Sequence, residues 1–178
     1  MSLDGSLMDP NVPGMMTPMR LRHELAYDAP PADVLAMIGD PLFWDRVGKA
    51  NDVISWTPTV GTEAGTVRVV IDEEQRTAGV PSFAKKIVGE STRVIITQVW
   101  RGQEASYEIE TPGKPTHVHG TATLSENGTG SVLVYDLEVK ASVPLIGGKL
   151  EKLVVDLTKE GFDKEQAVGA AWLAGEGR

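Results

Sequence analysis

Residues 133–173 read LVYDLEVKASVPLIGGKLEKLVVDLTKEGFDKEQAVGAAWL, and the change of hydrophobic period inside this stretch decides the fold. Before Pro144, the residues Leu133, Tyr135, Leu137, Val139, Ala141 and Val143 alternate with Asp136, Glu138 and Lys140. A period of two places the apolar set on one face of a half-buried strand. After the Gly147-Gly148 pair, which gives the backbone a hinge, the period becomes helical. Leu150, Val154, Leu157, Gly161, Val168 and Trp172 recur at spacings of three, four and seven, with Glu151, Lys152, Lys159, Lys164 and Glu165 among the positions between them. One face of a helix over residues 149–173 is therefore expected to be buried. At 1.5 Å per residue it would run roughly 35 Å, enough to cross a whole small sheet.

Toward the N-terminus the same reading supplies the sheet. Met19–Tyr27 alternates, with Leu21, His23, Leu25 and Tyr27 on one face and Arg20, Arg22 and Glu24 on the other. Pro30-Pro31 opens a short helix carrying Val34, Leu35 and Ile38, and Gly39 is available to end it. Asp40-Pro41 then starts a second, with a capping carboxylate ahead of proline, covering Phe43, Trp44 and Val47. Short β patterns follow at 53–57, 66–72, 93–100, 105–110 and 117–124, with Gly and Pro in the gaps. Residues 80–90 read as one further edge strand, because Pro81 suits an edge and Phe83, Ile87 and Val88 need cover. The turn Glu126-Asn127-Gly128-Thr129-Gly130 leads into the strand of the opening stretch. The expected class is α+β: a curved antiparallel sheet of about six to seven strands, two short helices after the first strand, and a long C-terminal helix over the sheet.

The 178 residues contain 41% hydrophobic and 24% charged side chains, ordinary values for one globular domain. Residues 1–16, MSLDGSLMDPNVPGMM, have neither a basic start nor an apolar core; they read as a loose leader or expression-tag remnant without packed structure, leaving residues 17–178 as the single domain. The absence of cysteine excludes disulfides, thiolate zinc sites and a cysteine nucleophile, and fits a reducing, cytoplasmic compartment. A net charge of −8 without a basic patch argues against nucleic acid as a partner. The longest apolar runs are only a few residues, so membrane insertion is not expected.

Two sets of features carry a resemblance. The order of elements, the Asp40-Pro41 pair and VPLIGGKLEKLVVD at 143–156 are similar to the START-like superfamily of polyketide cyclases, lipid-transfer domains and the birch pollen allergen. VPSFAKKIVGE at 80–90 and AAWL at 170–173 resemble an uncharacterised bacterial branch known as a domain of unknown function. The resemblance implies a helix-grip fold, in which the sheet grips the last helix over a ligand pocket. It implies no reaction, because a fold does not fix chemistry.

Few residues announce chemistry. His117 and His119 leave a strand on the same face, as metal ligands do, but the nearest following acid is Glu126, and Val118, Gly120, Ala122 and Leu124 make the better inward face. Both histidines are expected outward, with no metal and no cofactor. Gly147-Gly148-Lys149 lacks the hydroxyl residue of a phosphate loop, and Gly89-Glu90-Ser91-Thr92-Arg93 lacks the second glycine of a nucleophile elbow. The acids Glu73-Glu74, Glu108 and Glu110 read as solvated edge residues. His23 sits on the inward face of the first strand, where it either satisfies a neighbouring carbonyl or meets a ligand.

The aromatics Tyr27, Trp44, Trp56, Trp100, Tyr107 and Tyr135 are spread over the elements that line or cap one sheet face, and small residues at Gly120, Ala122 and Ala141 are expected to leave space beside them. The expected ligand-binding set is His23, Leu25, Tyr27, Trp44, Trp100, Tyr107, Tyr135 and Leu137, with the pocket under the long helix and Trp44 near its mouth. The expected function is binding or carriage of a hydrophobic small molecule, lipid-like or polycyclic. Two alternatives stand beside it: a cyclase-like enzyme with His23 as acid or base and Tyr27 or Tyr135 as donor, and a protein-interaction module whose cavity is filled by its own side chains.

Overall fold

A computed structural model describes residues 17–176; the expectation for residues before Thr17 falls outside them. Seven strands form one antiparallel sheet: β1 (Met19–Tyr27), β2 (Val53–Glu63), β3 (Thr66–Arg76), β4 (Ser91–Arg101), β5 (Glu104–Glu110), β6 (Thr116–Asn127) and β7 (Gly130–Ala141). Their order across the sheet is β1-β7-β6-β5-β4-β3-β2. Helices α1 (Pro31–Ile38) and α2 (Pro41–Ala50) follow β1, α3 (Ser82–Val88) lies between β3 and β4, and α4 (Gly147–Leu173) follows β7. This is the expected α+β helix-grip arrangement.

Local chemistry accounts for most element ends. Asp40 caps α2 by accepting a hydrogen bond from the Leu42 amide at 2.9 Å, and Pro41 occupies the first turn, where its missing N–H is not needed. The β6–β7 hairpin turns at Gly128, whose φ of 62° a β-carbon would strain. Pro58 lies in β2, at the sheet edge, where a strand tolerates the loss of one donor.

One segment departs from the sequence expectation. Residues 82–88 form α3 instead of an edge strand. Pro81 has φ −54° and stands just before the helix, and the buried Ala84 packs with Phe83 and Ile87 in a small cluster with Ala141 and Leu150. The same Pro81 that suits a strand edge also suits a helix start, and the apolar residues at 83, 84 and 87 have helical spacing.

The burial of α4 departs as well. Its buried stripe is Gly147, Leu150, Glu151, Val155, Phe162, Glu165, Gly169 and Trp172, one position round from much of the stripe the sequence suggests. That stripe packs the helix on β1 and β7 and against α1 and α2. Val154, Leu157 and Gly161 remain partly or fully accessible. The helix thus has two apolar faces, one closing the core and one overlooking the sheet beyond it.

Candidate functional site

Over β2–β5, where α4 stands away from the sheet, lies a cavity of about 530 Å³. Its sheet wall is apolar in the middle, from Ile71, Val94, Ile96, Ile109 and Val118, and its helix wall comes from Val154, Leu157, Gly161 and Phe162. Trp44 and Trp56 close the end nearest α2. Their rings are held in place by their own N–H groups: Trp44 donates to the Ile38 carbonyl at 2.8 Å and Trp56 to the Trp44 carbonyl at 2.9 Å. One side is open, and exposed or half-buried residues mark its margin: Asp52, Gly79, Leu157, Glu160 and Lys164.

Six buried polar side chains line this apolar space; two of them, Thr77 and Thr92, donate their hydroxyl protons to the Gly89 and Val88 carbonyls, and the other four are Glu73, Gln98, Tyr107 and Glu165. Glu73 is 3% exposed and Glu165 5%, and Gln98 and Tyr107 are equally enclosed. Strand parity puts Glu73 inward, two residues beyond Ile71 and four beyond Val69, both fully buried. Gln98 and Tyr107 pair directly across β4 and β5. Glu165 follows Phe162 by one helical step, and the Phe162 ring stacks on Tyr135 with centroids 3.9 Å apart.

Each group has one fixed contact, one free atom, or both. Glu73 accepts from the Gln75 amide. Glu165 Oε1 accepts from the Tyr135 hydroxyl at 2.7 Å, and Gln98 Oε1 accepts from Trp100 Nε1 at 2.9 Å. The Tyr27 hydroxyl is the only fully enclosed side-chain polar atom without a partner among the described residues. Among the described residues the second oxygens of Glu73 and Glu165, the Gln98 amide nitrogen and the Tyr107 hydroxyl have no protein partner either; they therefore touch open space, and for residues this buried that space is the cavity they line.

Desolvation dominates the electrostatics. Burial pushes the Glu73 and Glu165 carboxyls from 4.5 up to about 7, opposed in part by the hydrogen bonds from Gln75 and Tyr135. Burial also raises the Tyr107 phenol well above its usual range, helped by the charges of Glu165 and Glu73, so both acids act on that ring. Near neutral pH both carboxyls are poised between proton donor and anion.

Of the residues expected from the sequence, Trp44 and Tyr107 line this cavity. Leu25, Tyr27, Trp100, Tyr135 and Leu137 are buried in the adjoining core and do not line it. Trp100 and Tyr135 nevertheless hold cavity groups from behind, through Gln98 and Glu165. His23 sits under α4, pairing with Asp163 at 2.9 Å and stacking on Phe162 at 5.8 Å, away from the cavity lining.

The space expected beside Gly120, Ala122 and Ala141 is absent. A β-carbon on Gly120 would lie 2.1 Å from the Asp136 carbonyl oxygen, and both alanines are enclosed in the core. The opening lies farther along the sheet because α4 packs down on β7 and lifts off over β3–β5. The space there is open on one side, whereas the positions Ala122 and Ala141 are packed.

His117 and His119 lie on the outer sheet face as expected, with Glu108 at 2.8 Å and Glu138 at 3.4 Å. Among the described residues no three histidines or acids converge as metal ligands do. Among the same residues, no helix is long and apolar enough to cross a membrane.

The sequence reading missed Glu73, Gln98 and Glu165. The signal was present in parity and spacing, since Glu73 continues the Val69-Ile71 face and Glu165 falls between Phe162 and Gly169 on the buried stripe. It was overridden by the general rule that acids are solvated.

Comparison with known proteins places this geometry. The family described as "Protein of unknown function (DUF2505)" matches residues 22–173. No curated protein matches the chain. Among solved structures, TTHA0849 from Thermus thermophilus superposes with a TM-score of 0.61 at 19% identity, covering 90% of this chain and 100% of that one. The di-domain ARO/CYC StfQ from the steffimycin biosynthetic pathway gives 0.60 at 12%, covering 85% of this chain and 49% of that one. A START superfamily protein from Mycobacterium smegmatis gives 0.53 at 15%, covering 86% and 98%. At these identities the likeness is one of fold.

Proposed function

The chain belongs to the DUF2505 family of proteins of unknown function, with a START-like fold, and we propose that it binds and carries a hydrophobic small molecule in the half-open cavity over β2–β5. The observation that carries the reading is the cavity itself. Protein interiors pack to crystal density and leave few voids larger than a water molecule, whereas this one is about 530 Å³, in the usual range for a small-molecule site. Its walls are apolar in the middle, and four of the buried polar groups among them, Glu73, Gln98, Tyr107 and Glu165, each have an atom without a partner among the described residues. Carriage in the cytoplasm, without membrane insertion or nucleic acid, is part of the same proposal and is supported by the absence of cysteine and the net charge of −8.

The test uses neutral polycyclic probes such as pyrene and 2-naphthylmethanol. Binding at micromolar strength should quench the fluorescence of Trp44 and Trp56, and a probe at about a hundred times its Kd should stabilise the fold by about 2.7 kcal/mol. No quenching and no rise in melting temperature up to the solubility limit would remove the reading.

A second reading, cyclase-like catalysis in the same cavity, is favoured by one observation: Glu73 and Glu165 have carboxyls raised to about 7, where general acid and base work is most effective. His23, paired with Asp163 outside the cavity lining, would not be its acid or base. StfQ, whose name marks it as an aromatase/cyclase, shares the fold. Its signature would be consumption of a bound reactive ligand, followed by mass spectrometry and lost in Glu73→Gln.

A further inference from the structure

The buried polar groups of the cavity wall have a sign. The ionisable side chains buried along its wall are Glu73, Glu165 and Tyr107, and all three are neutral or negative. The cationic residues on the lining, Arg76 and Lys164, are accessible at its margin, as is His117; Arg76 there lies 3.6 Å from Asp52. Neither buried carboxyl has a basic partner among the described residues. Glu165 is met by the Tyr135 hydroxyl and Glu73 by the Gln75 amide.

A buried carboxyl without a cation either keeps its proton or waits for a charge from outside. A carboxylate-headed ligand would bring a further anion into the cavity, which is strongly disfavoured. A metal ion would require more converging oxygens than the described residues supply. An ammonium group supplies what is missing: several N–H donors and one positive charge, for a carboxyl oxygen that has no partner among the described residues. The aromatic residues Trp44, Trp56, Tyr107 and Phe162 line the same space, and a ring that meets the ammonium would attract it further.

Resting on the reading of the cavity as a ligand site, we infer that its ligand class is a hydrophobic amine, with the apolar body between β3–β5 and α4 and the ammonium at one of the two free carboxyl oxygens, that of Glu73 or that of Glu165. Gln98 and Tyr107 line the same cavity farther along the strands, and their amide nitrogen and hydroxyl have no partner among the described residues.

Three probes of one shape test this: 2-naphthylmethylamine, 2-naphthylmethanol and 2-naphthoic acid, titrated calorimetrically into the full chain at about pH 7.5, just above the raised carboxyls. The amine should bind at least about tenfold tighter than the alcohol, and the acid more weakly than either, the difference expected of a charge-assisted hydrogen bond. Glu73→Gln and Glu165→Gln together should bring the amine-to-alcohol ratio close to one. Between about pH 6 and 8 the wild-type ratio should rise as the two carboxyls ionise, and amine binding should release protons that alcohol binding does not. The titratable groups packed against them are the hydroxyls of Tyr27, Tyr107 and Tyr135, which stay neutral over this range, with Asp52, Arg76, His117, Glu160 and Lys164 at the margin. Equal affinity for amine and alcohol in the wild type would overturn the amine assignment while leaving the ligand site standing. A ratio unchanged in the folded double variant would do the same. Failure of all three probes to bind would overturn both.

Discussion

Replacing Glu165 by Gln should make the protein more stable at about pH 8 and leave its stability unchanged at about pH 4, on either side of the window over which this carboxyl titrates. The side chain is 5% exposed, and burial raises its carboxyl from 4.5 to about 7. In the unfolded chain the proton leaves near 4.5; in the folded protein it is held until about 7. Over that interval the folded state binds more protons, so stability falls as pH rises, and the loss is complete above the folded value. At ~1.4 kcal/mol per pH unit the loss amounts to roughly 3 kcal/mol. Gln keeps the shape and an oxygen to accept from the Tyr135 hydroxyl, and carries no charge at any pH. Urea unfolding of both proteins across this range should therefore give a difference that grows from near zero to roughly 3 kcal/mol in favour of the variant, or on the order of 10 °C in melting temperature. Glu73 is common to both proteins and cancels. A pH-independent difference, or a variant less stable at the alkaline end, would show that Glu165 is not a desolvated acid.

Two further expectations follow from glycines in α4. A β-carbon on Gly161 meets nothing within 4 Å, whereas one on Gly169 would lie 2.7 Å from the enclosed Tyr27 ring; Gly161→Ala should stabilise by up to about 1 kcal/mol through helix propensity, while Gly169→Ala should destabilise by about 1–3 kcal/mol through overpacking. Opposite signs in thermal unfolding check the pair, and a shared sign would contradict the assigned faces of the helix. Gly161→Phe, which sends a ring into the cavity, should weaken binding of 2-naphthylmethanol at least about tenfold without lowering stability; unchanged affinity would mean that the probe binds elsewhere.

The fold was legible because its signals are periodic. The alternation in β7, the helical spacing after Gly148 and the Asp40-Pro41 start of α2 each report a local geometry that the structure repeats. Residues 82–88 were misread because Pro81 suits two structures and so short a segment gives period too little length to separate them. The site was legible only in part. Trp44 and Tyr107 line it, but where the sheet and α4 part company depends on how deep each contact is, and no single strand's pattern carries that. Small residues at 120, 122 and 141 suggested room, yet small residues also let elements approach closely, as Gly120 does against Asp136.

Because α4 holds the core with one stripe and overlooks the cavity with another, the demands of folding and of recognition fall largely on different residues of a single element, with residues such as Phe162 and Glu165 serving both. Substitutions at Val154, Leu157 and Gly161 can redraw the contour a ligand meets while Val155 and Trp172 keep the helix seated. A lineage carrying this helix can change what it recognises through drift at a handful of positions, with the packing that keeps the protein folded left out of the exchange.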